Sequence, residues 1–130
     1  MERIKVLLIE PMEQPKIVEI DDTLEELQRL VGGCIAATYP WKDPVAVVFN
    51  DNGVAEFLQP NRVLEEYNDI LLGSFFICGL GEEDFQSIPE HLIPKYTEKY
   101  RWPEMFKRAE EGGITCIRMT DHGIEMQKVW

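Results

Sequence analysis

DDTLEELQRLVGGCI, residues 21–35, decides the fold reading, because a start signal, a periodicity and a stop signal agree within it. Asp22 or Thr23 supplies an N-cap oxygen for an orphan backbone N–H. With Asp22 as cap, Glu25 falls three residues on, where a capping box places an acid. Leu24, Leu27, Leu30 and Val31 follow at i, i+3, i+6 and i+7 and make one face apolar, while Glu25, Glu26, Gln28 and Arg29 occupy the other. Gly32-Gly33 ends the helix, since glycine accepts the left-handed conformation past the last turn. Residues 34–39 (CIAATY) leave at once as an apolar strand.

Toward the N-terminus, residues 3–10 (RIKVLLIE) read as a strand, and 11–15 break it with two prolines, which cannot donate to a ladder. Residues 16–20 (KIVEI) alternate and return as its hairpin partner, a short break that favours antiparallel pairing. Toward the C-terminus, a Pro-bounded turn at 40–44 precedes an apolar strand at 45–50 (VAVVFN), interior to the sheet. Asp51-Asn52-Gly53 signals a tight hairpin turn and 54–58 the returning strand. Residues 59–62 leave the sheet and 63–68 are polar and ambiguous. Residues 69–79 (DILLGSFFICG) read as one strand in which Gly73 marks a bulge or a close approach.

The last third turns helical. Residues 82–85 open a helical turn, and Ser87 to Glu90 form a capping box with Pro89 in the first turn. Leu92, Ile93, Tyr96 and Tyr100 share a stripe that Pro94 kinks. Pro103, Met105, Phe106 and Ala109 read as another short helix, closed by Gly112-Gly113. Residues 114–119 and 124–130 form a terminal hairpin. The expected fold is therefore α+β, one domain over residues 1–130. A mixed, mainly antiparallel sheet carries one central helix, with short C-terminal helices and a terminal hairpin as a second layer.

Several of these motifs, in this order, resemble a known family. They are Glu10-Pro11, the 23–33 helix with its Gly-Gly stop, Tyr39-Pro40, the 50–53 turn, Pro60-Asn61-Arg62 and the 69–79 segment. Together they are similar to the domain of unknown function three-eight-four-six over about residues 1–86. The family's P-x-N-R motif is compressed here, Asn61 following Pro60 directly. The resemblance implies a bacterial, phage or conjugative-element setting, and with it a context of host defence or DNA transfer. It implies no activity, cofactor or catalytic residue.

Composition narrows the function classes. Thirteen basic and 24 acidic residues give a net charge of −11. The excess is even: residues 1–60 hold 5 basic and 11 acidic side chains, residues 61–130 hold 8 and 13. Such a field opposes phosphate backbones and anionic lipid, so neither nucleic acid nor membrane is an expected direct partner. A basic protein partner is. Cys34, Cys78 and Cys116 are widely spaced within apolar runs and read as buried free thiols, which suits a reducing cytoplasm. No signal peptide or membrane-length apolar run is evident.

The candidate binding residues are Asn50, Asn61, Arg62, Trp102 and Trp130. Asn50, Asn61 and Arg62 punctuate strands. Arg62 offers a planar fork to a carboxylate or phosphate, with Asn61 orienting it. The competing and favoured reading is structural: Asn61 caps a turn and Arg62 pairs with an acid such as Glu65 or Glu66. The aromatic run Tyr96, Tyr100, Trp102 and Phe106 suggests either core packing or a partner surface, and Trp130 either closes the last strand or anchors a partner. Gly79-Leu80-Gly81 lies where phosphate loops lie, but three carboxylates at 82–84 would repel a phosphate. His91 and His122 have no ligand at helical spacing, so no metal, cofactor or catalytic set is expected. The leading expectation is a non-enzymatic accessory protein that binds a protein partner. The alternative is a domain binding an anionic metabolite or nucleotide through Asn61 and Arg62 beside the 79–81 turn. The oligomeric state stays open.

Overall fold

Thr23 is the residue that caps the central helix. In the computed structural model, which describes residues 2–129, its hydroxyl accepts from the Glu26 N–H at 3.3 Å. Helix α1 (Leu24–Val31) buries Leu27 and Val31, leaves Leu24 exposed, and ends at Gly32 with φ +79°. Burying those two side chains is worth about 1.5–3 kcal/mol each.

The helix lies on a sheet built from β1 (Arg3–Ile9), β2 (Lys16–Asp21), β3 (Ile35–Thr38), β4 (Val45–Asn50) and a later strand, Phe75–Leu80. Two strands lie between β4 and it, β5 (Pro60–Leu64) and β6 (Asp69–Leu72), so Phe75–Leu80 is β7. The order across the sheet is β2-β1-β7-β4-β3, and a short β8 (Phe85–Gln86) pairs with β7. All described strand pairs are antiparallel.

Side-chain alternation splits the core by face. Val6, Leu8, Ala46, Val48, Phe76 and Cys78 pack under α1. Leu7, Ile9, Val45, Val47, Phe75 and Ile77 face the other way. That second face is covered by Leu64 and Leu71 of the separate β5–β6 hairpin and by Leu92, Tyr96 and Tyr100, carried by a 3-10 turn (Glu90–Leu92) and by α2 (Ile93–Lys99) with its C-cap. A third sheet, β11-β10-β9, follows: β9 (Glu104–Arg108), β10 (Ile114–Thr120) and β11 (Gly123–Lys128). Its Cys116 and Phe106 pack on Val63 and Ile70 of the hairpin. The layers therefore run helix, main sheet, hairpin with α2, and outer sheet.

Four local expectations are corrected. Residues 54–58 are not a strand: β4 already has β7 on one edge and β3 on the other, so no edge is free for them. The chain coils instead, with Glu56 N–H donating to Asn52 at 2.9 Å and Leu58 N–H to Gly53 at 3.0 Å. Residues 69–79 are two strands in different sheets, because Gly73 at φ +75° turns the chain between them. Residues 82–85 are not a helical turn: 82–84 bend the chain between β7 and β8, and Phe85 opens β8. Within residues 103–109, Glu104–Arg108 form β9 rather than a helix, and Gly112-Gly113 at φ +93° and +86° turn the chain from β9 to β10.

Candidate functional site

Asn61 and Arg62 are fully buried at the centre of the molecule. Asn61 Nδ2 donates to the carbonyls of Ile9 at 2.9 Å and Gly73 at 2.8 Å, tying the end of β1 to the β6–β7 turn. Its Oδ1 accepts from Arg62 Nη1 at 2.8 Å. Arg62 Nη1 also donates to the Asn61 carbonyl at 3.3 Å. Nη2 reaches the Glu13 carbonyl at 2.6 Å, and Nε and Nη2 both reach Tyr100 O. A guanidinium has five N–H groups, and five bonds are made. Arg62 therefore pairs with carbonyls of three chain segments rather than with Glu65 or Glu66. Burial pushes its pKa down to about 10, with Glu104 opposing, so it stays charged at neutral pH.

Glu104 is the buried acid that sequence reasoning missed. One oxygen accepts from the Val63 N–H at 2.7 Å, and the other takes the fork of Arg118. Burial disfavours the Arg118 charge, but its hydrogen bond and charge contact with Glu104 outweigh that and raise its pKa. This pair fastens the outer sheet to the β5–β6 hairpin. No local signal marks it, because Arg118 lies across a strand pair and Val63 is 41 residues away.

Asn50 organises a different region. Its Nδ2 donates to the carbonyl of Val31, at the end of α1, and to Glu56, both at 3.2 Å. Its Oδ1 accepts from the Asn52 N–H at 2.7 Å, so the Asn-Gly signal is consumed in a side-chain turn. The loop 51–58 is held against β6: a Cβ on Gly53 would lie 3.0 Å from Leu72 Cβ. Between this loop and the hairpin lies a groove of about 490 Å³, lined by apolar Phe49, Val54, Ile70 and Leu72 and by Asp51 and Asp69, with no lysine or arginine in its lining. At the loop's rim Val54 is 79% and Phe57 93% exposed, and Phe57 sits at φ +55°. Left-handed conformations are costly for a residue with a bulky side chain. A second cleft beside the 79–81 turn is lined by Asp22, Glu82, Glu83 and Asp84, again with no cation.

The pattern of the domain of unknown function DUF3846 matches residues 4–101. The chain belongs to the DUF3846 family. No curated protein and no solved structure matches it. The family portion extends past the expected residue 86 to include α2, and it ends one residue after Tyr100, the carbonyl that Arg62 holds. Asn50, Asn61 and Arg62 lie inside the DUF3846 portion, while β9–β11 and Trp102 lie beyond it.

Trp102 is half-buried, with the Arg101 guanidinium 4.7 Å from its ring centre. It is not brought to the groove. Trp130 lies outside the described residues. Tyr96 and Tyr100 are core residues: Tyr96 packs on Trp41 at 4.6 Å and Tyr100 edge-on to Phe75 at 5.5 Å between ring centres. Of the three thiols, Cys78 and Cys116 are buried and pushed up to about 12 by desolvation, but Cys34 is exposed, contrary to expectation. Its strand, β3, is a sheet edge that starts at residue 35. Among the described residues no helix is long and apolar enough to cross a membrane, and no three potential metal ligands cluster.

Proposed function

We propose that this protein is a non-enzymatic cytoplasmic binding module that engages a basic protein partner through the groove beside loop 51–58. The observation that carries this reading is the groove itself, apolar on its walls, bearing Asp51 and Asp69 and no lining cation, with the exposed Phe57 further along the loop that supplies one of its walls. An apolar anchor flanked by lysine or arginine fits those surfaces, and a net charge of −11 steers such a partner toward it. Exposed aromatic side chains are the usual anchors of protein interfaces. The same field disfavours direct contact with nucleic acid. The mobile-element setting that the family resemblance implies supports reading the module as an accessory factor, with host defence or DNA transfer as its context.

A photo-crosslinking residue at position 57 tests this reading. The expected result is a basic protein crosslinked in a yield that falls as salt rises and drops further with Asp51→Asn and Asp69→Asn together. No crosslink, or a yield indifferent to both, would sink it.

A volume of about 490 Å³ also falls in the range of small-ligand sites. The anionic metabolite reading has less support, because Arg62 has its five donors on carbonyls and does not line the groove. A metabolite-dependent thermal shift lost in the Asp51→Asn variant would favour a ligand, and a cationic one.

A further inference from the structure

The outer sheet has one face packed and one face bare. Its strand register decides which residues share the bare face. Met105, Ile117 and Met126 sit opposite one another across the three strands, and Met119 sits opposite Ile124. Cys116 and Phe106, on the opposite face, are the ones packed on the hairpin. Met105 is 51%, Met119 61%, Ile124 65% and Met126 68% exposed. This contiguous methionine–isoleucine surface closes the stack on the side of the outer sheet away from the hairpin. Exposed apolar patches of this kind mark binding surfaces, and methionine adapts to varied partners.

Charge and size say what covers it. The next cross-strand row on the same face is Lys107–Thr115–Lys128. In a chain with 24 acidic residues, this face holds two lysines and no acid. Three strands at ~4.8 Å spacing and about six residues at ~3.4 Å rise give a patch of roughly 300 Å². A stable protein dimer buries about 800 Å² per partner, so the patch is too small for a second copy packed on it alone. It matches an α-helix of about 13 residues, which is roughly 20 Å long and 10–12 Å wide.

We propose that the outer face of the β9–β11 sheet docks an amphipathic helix of a partner protein, its apolar stripe on the methionine–isoleucine rows and its acidic flank against Lys107 and Lys128. This surface is separate from the acidic groove and of opposite charge, so the protein bridges two partners of different chemistry.

The test uses two fluorescent synthetic helices with the same leucine stripe, one flanked by glutamate and one by lysine, titrated against the full chain by anisotropy. The glutamate-flanked helix is expected to bind. Its binding should weaken at least tenfold with Met126→Ser and at least tenfold with Lys107→Glu and Lys128→Glu together, a reversal that instead admits the lysine-flanked helix to this face. All three substituted side chains are exposed, and an unchanged melting temperature checks that the variants fold. Absent binding of the glutamate-flanked helix, or binding that ignores these substitutions, overturns the proposal. So does a wild-type chain that sediments as a dimer and that Met126→Ser splits, which assigns the face to a second copy.

Discussion

Arg62 holds the Tyr100 carbonyl oxygen with two N–H groups, Nε at 3.2 Å and Nη2 at 3.0 Å. The same side chain reaches the β1–β2 loop at Glu13, so one cation fastens to its own strand two segments that are 49 and 38 residues from it in sequence. Arg62→Ala leaves buried carbonyls without donors and is expected to cost about 3–5 kcal/mol. Arg62→Lys should recover less than half of that, because an ammonium on a flexible stem cannot reproduce the planar fork. Urea unfolding of the three proteins measures both.

Tyr100 contributes its backbone oxygen to that clamp, whereas its own hydroxyl is buried with no hydrogen-bond partner among the described residues. Tyr100→Phe keeps the carbonyl and removes an unpaired polar group. Stability should stay level or rise by about 1 kcal/mol, the opposite sign to Arg62→Ala at the same contact. A thermal melt of the variant distinguishes the two signs.

Gly79 is a steric requirement. A Cβ there would lie 2.3 Å from the Ser87 carbonyl oxygen, where the chain after β8 crosses β7. The obstacle is backbone and cannot rotate away. Gly79→Ala is expected to destabilise by about 2–3 kcal/mol, read from the shift in urea midpoint.

Phe57 should behave in the reverse way. It is almost fully exposed and left-handed, so it costs stability without contributing to the core. Phe57→Asn relaxes the backbone at a position asparagine tolerates, for a gain of about 0.5–1 kcal/mol. In a pull-down, the same variant should lose the proposed salt-dependent capture of a basic protein. Higher stability together with undiminished capture would separate Phe57 from function.

Asp43 gives the acid limb of the stability profile. The Lys95 ammonium and the Tyr96 hydroxyl, both hydrogen-bonded to Oδ2, hold its pKa below the ordinary carboxylate range. A folded-state pKa below the unfolded one, which is about 3.9, contributes stability that is present above that value. It is lost as pH falls through the folded-state pKa. Asp43→Asn should therefore be less stable than wild type at pH 7 and lose less on acidification to pH 3. Glu66 and Glu26, also lowered, keep a residual slope. Urea midpoints at the two pH values give the comparison.

The elements that were legible in the sequence are those written locally. Thr23, the leucine spacing and Gly32 specify α1 within ten residues, and the β1–β2 hairpin follows from alternation and a short proline break. Residues 103–109 show the limit. Their apolar spacing suits a helix, but Glu104 must reach both Arg118 and Val63, and only a strand beside β10 places it there. Asn-Gly at 52–53 failed as a hairpin signal because β4 has no free edge, which is a property of the whole sheet. The candidate site was half legible. Asn50, Asn61 and Arg62 stood out as polar residues at strand ends, but which of them faced outward depended on burial. All three are buried, Asn50 beneath the groove that it helps to line and the other two in the interior.

The position of β1 between β2 and β7 has a consequence for how the chain comes off the ribosome. Leu7 is opposite Ile77, 77 − 7 = 70 residues later in sequence. At synthesis rates of about 5–20 residues per second, β1 waits about 4–14 s for its second neighbour after its own emergence. Throughout that interval one edge of RIKVLLI is open, with only β2 on the other side. Arg3 and Lys5, exposed and alternating with buried Ile4 and Val6, are the charges that guard this waiting strand against pairing with a neighbouring nascent chain.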